Sequence, residues 1–264
     1  MKRPIIWLLT GCLLLTGYLV QAQSSTGPYR LIAHRGGVVD STTDQNSAQA
    51  LSKAISDGYW MVEIDMRMTK DSVLITHHDA TFKRSFGLDA AVADMNWEAI
   101  ARLKNDHGYR VQKLEEVFAR CKGKLGVMLD NKLPGNDTTV WRKLIMLLKK
   151  YDLYQSALMI GTDESTAFFT SKIKLSCTRQ QLEENMHKHG FRPENYYLFS
   201  DNITKADADW AAKHRILVIG VINAFTFKAG EQVTNGPASQ ASRLKNAGVR
   251  NFQVDSQYRP LFGR

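Results

Sequence analysis

A chain of 264 residues, 44% hydrophobic and 23% charged with only six prolines, is long enough for one barrel-sized core and too apolar for wholesale disorder or a fibrous repeat. The formal charge is +9, yet no run of Lys and Arg and no basic helix stands out. The excess therefore reads as a solvated surface that favours anionic ligands or a membrane surface, and not as a nucleic-acid face, which would need interleaved aromatic and basic residues.

Lys2 and Arg3 precede an apolar run at 5–20 that ends in Val20-Gln21-Ala22, the layout of a signal peptide cut after Ala22. The run falls a little short of the roughly 20 residues that span a bilayer, which argues against a retained anchor. Leu9-Thr10-Gly11-Cys12 resembles a lipoprotein processing box that would leave a lipidated Cys12, but that cut would strand the apolar 13–20 on the mature chain. The expectation is a leader at 1–22, a short lead-in at 23–29 and a single domain at 30–264, exported to a periplasmic or extracellular compartment. There Cys121 and Cys177 could pair or stand as two buried thiols.

Strand-like segments follow at 30–34, 59–68, 73–77, 124–130, 156–161, 172–177, 216–222 and 248–255, with helix-like stretches between them at 46–57, 113–121, 138–151, 179–189, 204–214 and 238–247. Strands alternating with helices predict an α/β fold with a parallel sheet, and eight such strands in one domain predict a closed TIM (β/α)8 barrel. Two features break the alternation: an extra strand-like 196–199, and only a turn, Thr69-Lys70-Asp71-Ser72, between the second and third strands. An open doubly wound sheet would need a glycine-rich phosphate loop after its first strand, and His34-Arg35-Gly36-Gly37 lacks that spacing.

Barrel strands collect catalytic groups at their C-terminal ends, so the polar residues there carry the functional reading. The first strand ends in His34-Arg35, an imidazole that moves protons near neutral pH beside a guanidinium that can grip a phosphoryl group in two places. The second contains Glu63-Ile64-Asp65, whose carboxylates share one face about 6.5 Å apart. Facing inward they would repel each other and lose hydration unless a hard divalent cation sat between them. The third ends in His77-His78-Asp79: alternation sends one histidine, His77, into packing, while the acid can set the tautomer of His78. The fourth ends in Asp130-Asn131-Lys132, where Asp130 could complete a three-carboxylate metal site and Lys132 could offset negative charge on a ligand.

Ala33-His34-Arg35-Gly36, Glu63-Ile64-Asp65 with Arg67-Met68-Thr69-Lys70-Asp71, then Val73 to Asp79, and Asp130-x-Lys132 together resemble the glycerophosphodiester phosphodiesterase family. The likeness is strong from Leu31 to Phe86, recurs around Asp130 and fades beyond Tyr151. It implies a barrel that uses one bound Ca2+ or Mg2+ ion to hydrolyse a small phosphodiester to a phosphomonoester and an alcohol. Carried over by position, His34 and His78 are the catalytic histidines, Arg35 the phosphate contact, and Glu63, Asp65 and Asp130 the metal ligands. Lys132 joins Arg35 in stabilising the phosphate charge.

Two departures bear on substrate. The family usually reads Glu-Asn-Thr after its first loop, where this chain has Gln45-Asn46-Ser47, and its third ligand is commonly Glu, not Asp. The shorter acid with Lys two residues on is also similar to the sphingomyelinase D type of phospholipase, which would cleave lysophospholipids or sphingomyelin. That activity needs transient lipid contact, for which Phe82, Phe86 and Leu88 are the apolar residues after the third strand. Gln45 in place of an acid also admits a catalytically silent phosphodiester-binding protein.

Overall fold

The computed structural model describes residues 28–228 and 235–263; the expected leader at 1–22, including Cys12, lies outside them. Eight strands run parallel around a closed ring: β1 (Arg30–Ala33), β2 (Met61–Met68), β5 (Gly126–Asn131), β6 (Leu158–Ile160), β7 (Lys174–Cys177), β8 (Tyr196–Ser200), β9 (Leu217–Ile222) and β10 (Asn251–Val254). Pairing of β1 with both β10 and β2 closes the sheet, with Ile32 opposite Met61 and Ala33 opposite Val254. The chain therefore forms the expected (β/α)8 barrel.

The ring is made of eight strands, but not of the eight anticipated. Segment 73–77 supplies β3 (Leu74–Thr76), which runs antiparallel to the tip of β2 and lies outside the ring. The turn at 69–72 is the reason: a hairpin-length link can only return the chain antiparallel. Segment 196–199 fills the gap as β8, a full ring member between β7 and β9.

Strand alternation divides the core. Leu31, Val62, Ile64, Val127 and Leu129 face outward onto helices α1 (Ala48–Ser56), α4 (Leu114–Cys121) and α5 (Thr138–Lys150), burying Leu51, Phe118, Trp141 and Leu144. Inward-facing Ile32, Met61, Met128, Leu158, Tyr197 and Ile219 form a separate layer that plugs the barrel. The outer ring continues with α6 (Asp163–Phe169), α7 (Arg179–Met186), α8 (Lys205–Lys213) and α9 (Gly236–Asn246). Of these, α6 was not anticipated from the sequence.

Between β2 and α4 the chain builds an arm: β3, then short helices α2 (Lys83–Phe86) and α3 (Trp97–Ile100), then β4 (Gln112–Lys113) pairing with β3. The arm has its own apolar cluster of Ile75, Phe82, Val92, Ile100 and Val111. Phe82 is wholly inside it and half-buried Phe86 packs against it, so these two rings help hold the arm together; Leu88 alone of the three is exposed. Cys121 and Cys177 are buried free thiols. No helix among the described residues is long and apolar enough to cross a membrane.

Candidate active site

The apolar plug is the floor of the site, and charge appears one layer above it. Glu63 and Asp65 follow Met61 on the inward face of β2, and Asp130 follows Met128 on β5, directly across the ladder from Asp65. One oxygen from each carboxylate can be chosen so that all lie within 4.8 Å of one another. Glu63 and Asp65 are only 1% and 2% exposed, so water does little to damp their repulsion. Burial, then the charges of Asp65 and Asp130, push the Glu63 carboxyl well above its ordinary range. Burial likewise raises Asp130, against the opposing pull of Lys132.

Lys132 is the ammonium that faces these acids, with Nζ 2.5 Å from Asp130 Oδ2 and 3.7 Å from Asp65 Oδ1. Burial works against its charge, but the carboxylates around it prevail and its pKa is raised. Its ammonium is thus engaged with carboxylates. Arg67 also feels the charges of Asp65 and Asp130, yet three acids still outnumber these two cations, and Glu63 Oε1 is buried without a hydrogen-bond partner. Three converging hard oxygens with one orphaned atom fit a divalent cation.

The first loop is built to present His34 and Arg35. Arg35 adopts φ 55° and Gly36 φ 80°, and this left-handed step turns the Arg35 amide to donate to Glu63 Oε2 at 2.7 Å. A Cβ on Gly36 would stand 2.5 Å from the Asn46 Cα, so only glycine fits. The Arg35 guanidinium donates through Nη1 to Gln45 Oε1 at 3.0 Å, while its Nε is buried with no acceptor. Asn46, at φ 56° and almost wholly buried, ties the loop to the acids. Its Nδ2 donates to Asp65 Oδ2 at 2.9 Å, its Oδ1 accepts from Thr76 at 2.6 Å, and its carbonyl accepts from Gln112 at 2.9 Å.

Each of the two expected catalytic histidines has Nδ1 held by a carboxylate. His34 Nδ1 lies 2.6 Å from Asp255 Oδ1, and the other Asp255 oxygen accepts from the Ala224 amide at 2.6 Å. Burial disfavours the Asp255 anion, but the hydrogen bond and charge of His34 outweigh it and the pKa is lowered. His34 Nε2 points toward the acids, 3.9 Å from Glu63 Oε2. His78 stands on the arm, its Nδ1 2.7 Å from Asp79 Oδ1. Arg84 grips both Asp79 oxygens, at 2.6 and 2.8 Å, and this bond above all holds Asp79 well below the usual carboxylate range. Arg67 pins the His78 carbonyl with Nε and Nη2, at 3.1 and 2.7 Å. His77 packs instead, its ring 4.9 Å from Phe82 and its Nε2 on the Thr81 carbonyl, with burial lowering its pKa.

Sequence reasoning passed over three residues of this assembly. Asp255 directly follows the last barrel strand, a position the strand-end rule should have flagged. Arg67 lies two residues beyond Asp65 on the same face of β2, and Asn46 was noticed only as the neighbour of Gln45.

A closed (β/α)8 barrel whose C-terminal mouth gathers three acids and a carboxylate-held imidazole, with a second such imidazole on the arm beyond β2, is an enzyme architecture. The chain belongs to the glycerophosphoryl diester phosphodiesterase family, whose model matches residues 34–250. Among curated proteins it is 37% identical over 68 residues to lysophospholipase D GDPD1 of Rattus norvegicus, covering 26% of this chain and 21% of that one. It is 25% identical over 182 residues to lysophospholipase D GDPD3 of Homo sapiens, covering 64% of this chain and 55% of that one. A glycerophosphodiester phosphodiesterase of Caldanaerobacter subterraneus is 28% identical over 145 residues, covering 49% of this chain and 56% of that one. The chain thus spans little more than half the length of these relatives at most.

Solved structures agree on the fold. A glycerophosphoryl diester phosphodiesterase from Parabacteroides distasonis superposes with a TM-score of 0.71 at 20% identity, covering 92% of this chain and 89% of that one. An Oleispira antarctica phosphodiesterase, solved in complex with its product sn-glycerol-3-phosphate, superposes with a TM-score of 0.66 at 16% identity, covering 89% and 97%.

Proposed function

We propose that the chain hydrolyses a glycerophosphodiester to a phosphomonoester, glycerol 3-phosphate in the simplest case, and an alcohol. The observation that carries this reading is the carboxylate cluster of Glu63, Asp65 and Asp130 at the barrel mouth with the carboxylate-held His34 turned toward it; a second carboxylate-held imidazole, His78, stands on the arm that leaves β2 just beyond Asp65. Glu63, Asp65 and Asp130 would hold one divalent cation, Ca2+ or Mg2+. When bound, such an ion neutralises charge growing on the phosphate oxygens.

The chain's own residues do the rest. Arg35, with Nε lacking an acceptor, donates to a phosphate oxygen that its planar guanidinium fits. Lys132 adds positive charge beside the same phosphate while holding Asp130 in place. A His34 that donates from Nδ1 to Asp255 keeps Nε2 for proton transfer, and His78 does the same through Asp79. One takes a proton from the nucleophile, water or a substrate hydroxyl; the other gives one to the departing alkoxide.

The test is a panel of glycerophosphodiesters assayed for released phosphomonoester, before and after chelation. Chelation should stop turnover and Ca2+ or Mg2+ should restore it; turnover that survives chelation would remove the carboxylates from the metal role. We read 1–22 as an export leader, so the mature protein should begin at Gln23, and an unprocessed chain retained in the cell would overturn that reading.

A further inference from the structure

A cavity of about 630 Å3 lies between the arm and helices α1 and α4, lined by none of the three acids and by neither catalytic histidine. Its size suits a small organic molecule. The first loop divides it from the barrel mouth: Gln45 and Asn46 turn to Arg35 and Asp65, whereas Asp44, Ser47, Ala48 and Gln49 line the cavity.

Helix α1 starts at this wall. Ser47 caps it, with Oγ accepting from the Ala50 amide at 3.0 Å and its carbonyl accepting from the Leu51 amide at 3.1 Å. The Ala48 and Gln49 amides bond to none of the described residues, and no acid in the first turn offsets the positive end of the helix dipole. Arg120 on α4 comes to the same place, donating from Nη1 to the Ala48 carbonyl at 3.0 Å. A second guanidinium, Arg110, lines the arm side and rests on the Ala101 carbonyl.

Water alone would satisfy an exposed helix end, but Tyr109 on the same wall is shut away from it. Tyr109 is 5% exposed, its ring stacks on Phe86 with centroids 5.1 Å apart, and its hydroxyl is buried without a hydrogen-bond partner. Burial pushes the phenol up, and among the charges that add to this Asp44, on the cavity wall, acts ahead of Asp65 and Asp79. The hydroxyl thus lies toward the cavity with nothing to donate to, and a buried O–H calls for an acceptor. The two acids of the wall are already engaged. Asp44 Oδ2 meets Asn105 Nδ2 at 3.1 Å and His107 Nδ1 at 3.3 Å, and Glu116 Oε2 accepts from the Lys113 amide at 2.9 Å. What the cavity leaves over is donors: two amides, two guanidiniums and a phenol.

We propose that this cavity binds a phosphate group, free or carried by a small phosphomonoester, with the Ala48 and Gln49 amides, the Arg120 guanidinium and the Tyr109 hydroxyl as its donors. Helix amides and a guanidinium together match a tetrahedral oxyanion, and half-buried Trp97 leaves an apolar wall for an organic substituent. The site lies outside the proposed catalytic machinery and stands or falls without it.

The test follows the backbone amide resonances of the protein, in the presence of Mg2+, as inorganic phosphate or glycerol 3-phosphate is added. Saturable shifts at Ala48 and Gln49 are expected; tighter binding of glycerol 3-phosphate identifies a phosphomonoester as the ligand, and equal affinity the free ion. Gln49→Glu sets a carboxylate in the first turn, which favours the helix but repels the ligand, so Kd should rise at least about tenfold with the fold intact. Arg120→Gln should raise it about as much. Tyr109→Phe removes a hydroxyl that has no partner in the free protein, so the melting temperature should hold or rise while Kd rises about fivefold. No saturable shift at Ala48 and Gln49, or a Kd indifferent to both Gln49→Glu and Arg120→Gln, overturns the site. A Tyr109→Phe variant that melts lower yet binds as wild type does removes Tyr109 from the donors. Shifts confined to the Arg35 loop would put the phosphate at the barrel mouth alone, overturning this site and leaving the catalytic reading intact; absence of diester turnover with the Ala48 and Gln49 shifts present would do the reverse.

Discussion

The two histidines invite comparison because the chain secures them so differently. His34 ends a barrel strand, is 10% exposed, and is held by Asp255 from a strand 221 residues away in sequence. Its position therefore depends on closure of the whole ring. His78 is 30% exposed, hangs on an arm with a separate small core, and takes its carboxylate from the next residue. One imidazole is fixed by global topology and the other by local sequence, so disturbing their supports should have unequal consequences.

Removing either imidazole is the largest expected effect and tests whether the two are partners at all. His34→Ala and His78→Ala should each lower turnover of a glycerophosphodiester by about 10² to 10⁴ with an unchanged melting temperature. If either kept more than roughly a tenth of wild-type activity, the two-histidine scheme would fail.

The next effect separates the supports. Asp255→Asn exchanges the acceptor of His34 for an amide that can present the wrong group, and it weakens the bond to the Ala224 amide as well. A loss on the order of 10² in kcat is expected. Asp79→Asn should cost less, about tenfold, because Arg67 still holds the His78 backbone. Steady-state kcat for the two variants checks the order, and an equal or reversed loss would dissolve the distinction between a barrel-held and an arm-held histidine.

That distinction also explains what the sequence disclosed. His34, Glu63, Asp65, His78 and Asp130 were legible because each lies at a strand end or on one strand face, where period-two geometry translates directly into space. The support of His78 was legible for the same local reason, since Asp79 is its neighbour. Asp255 was not connected to His34 because nothing local links residues so far apart; only ring closure does. The swap of segments 73–77 and 196–199 has a similar cause. Both are short apolar runs, and whether such a run pairs parallel inside a ring or antiparallel outside it depends on the link before it and on partners elsewhere.

Asn46 ties the two histidine regions together, so it tests whether they are independent. It bonds the first loop to Asp65 on β2 and to Thr76 on the arm. Asn46→Leu would leave Asp65 Oδ2 and the Thr76 hydroxyl without their partner in a buried place, a destabilisation of roughly 1 to 3 kcal/mol. Urea unfolding measures it. Thr76→Val removes one of these bonds and should cost about 1 kcal/mol. If Asn46→Leu were no worse than Thr76→Val, the arm alone would be relying on this residue.

The smallest expected effect lies on the side of His34, at the position that departs from the family pattern. Gln45 accepts from Arg35 Nη1 without cancelling the guanidinium charge, so that charge stays available to a phosphate. Gln45→Glu would turn a hydrogen bond with one charged partner into an ion pair, and would set a further anion near a cluster already short of positive charge. Arg35 would then be held in the free enzyme by a partner that competes with substrate. The expected result is a KM raised about three- to tenfold with kcat little altered, the pattern of lost ground-state binding. Because Arg35 adjoins His34 and not His78, the same substitution should leave the consequences of Asp79→Asn unchanged, the two effects adding as they do for separated sites. A fall in KM instead would mean that the tighter hold orients the Arg35 guanidinium for the phosphate and does not compete with it.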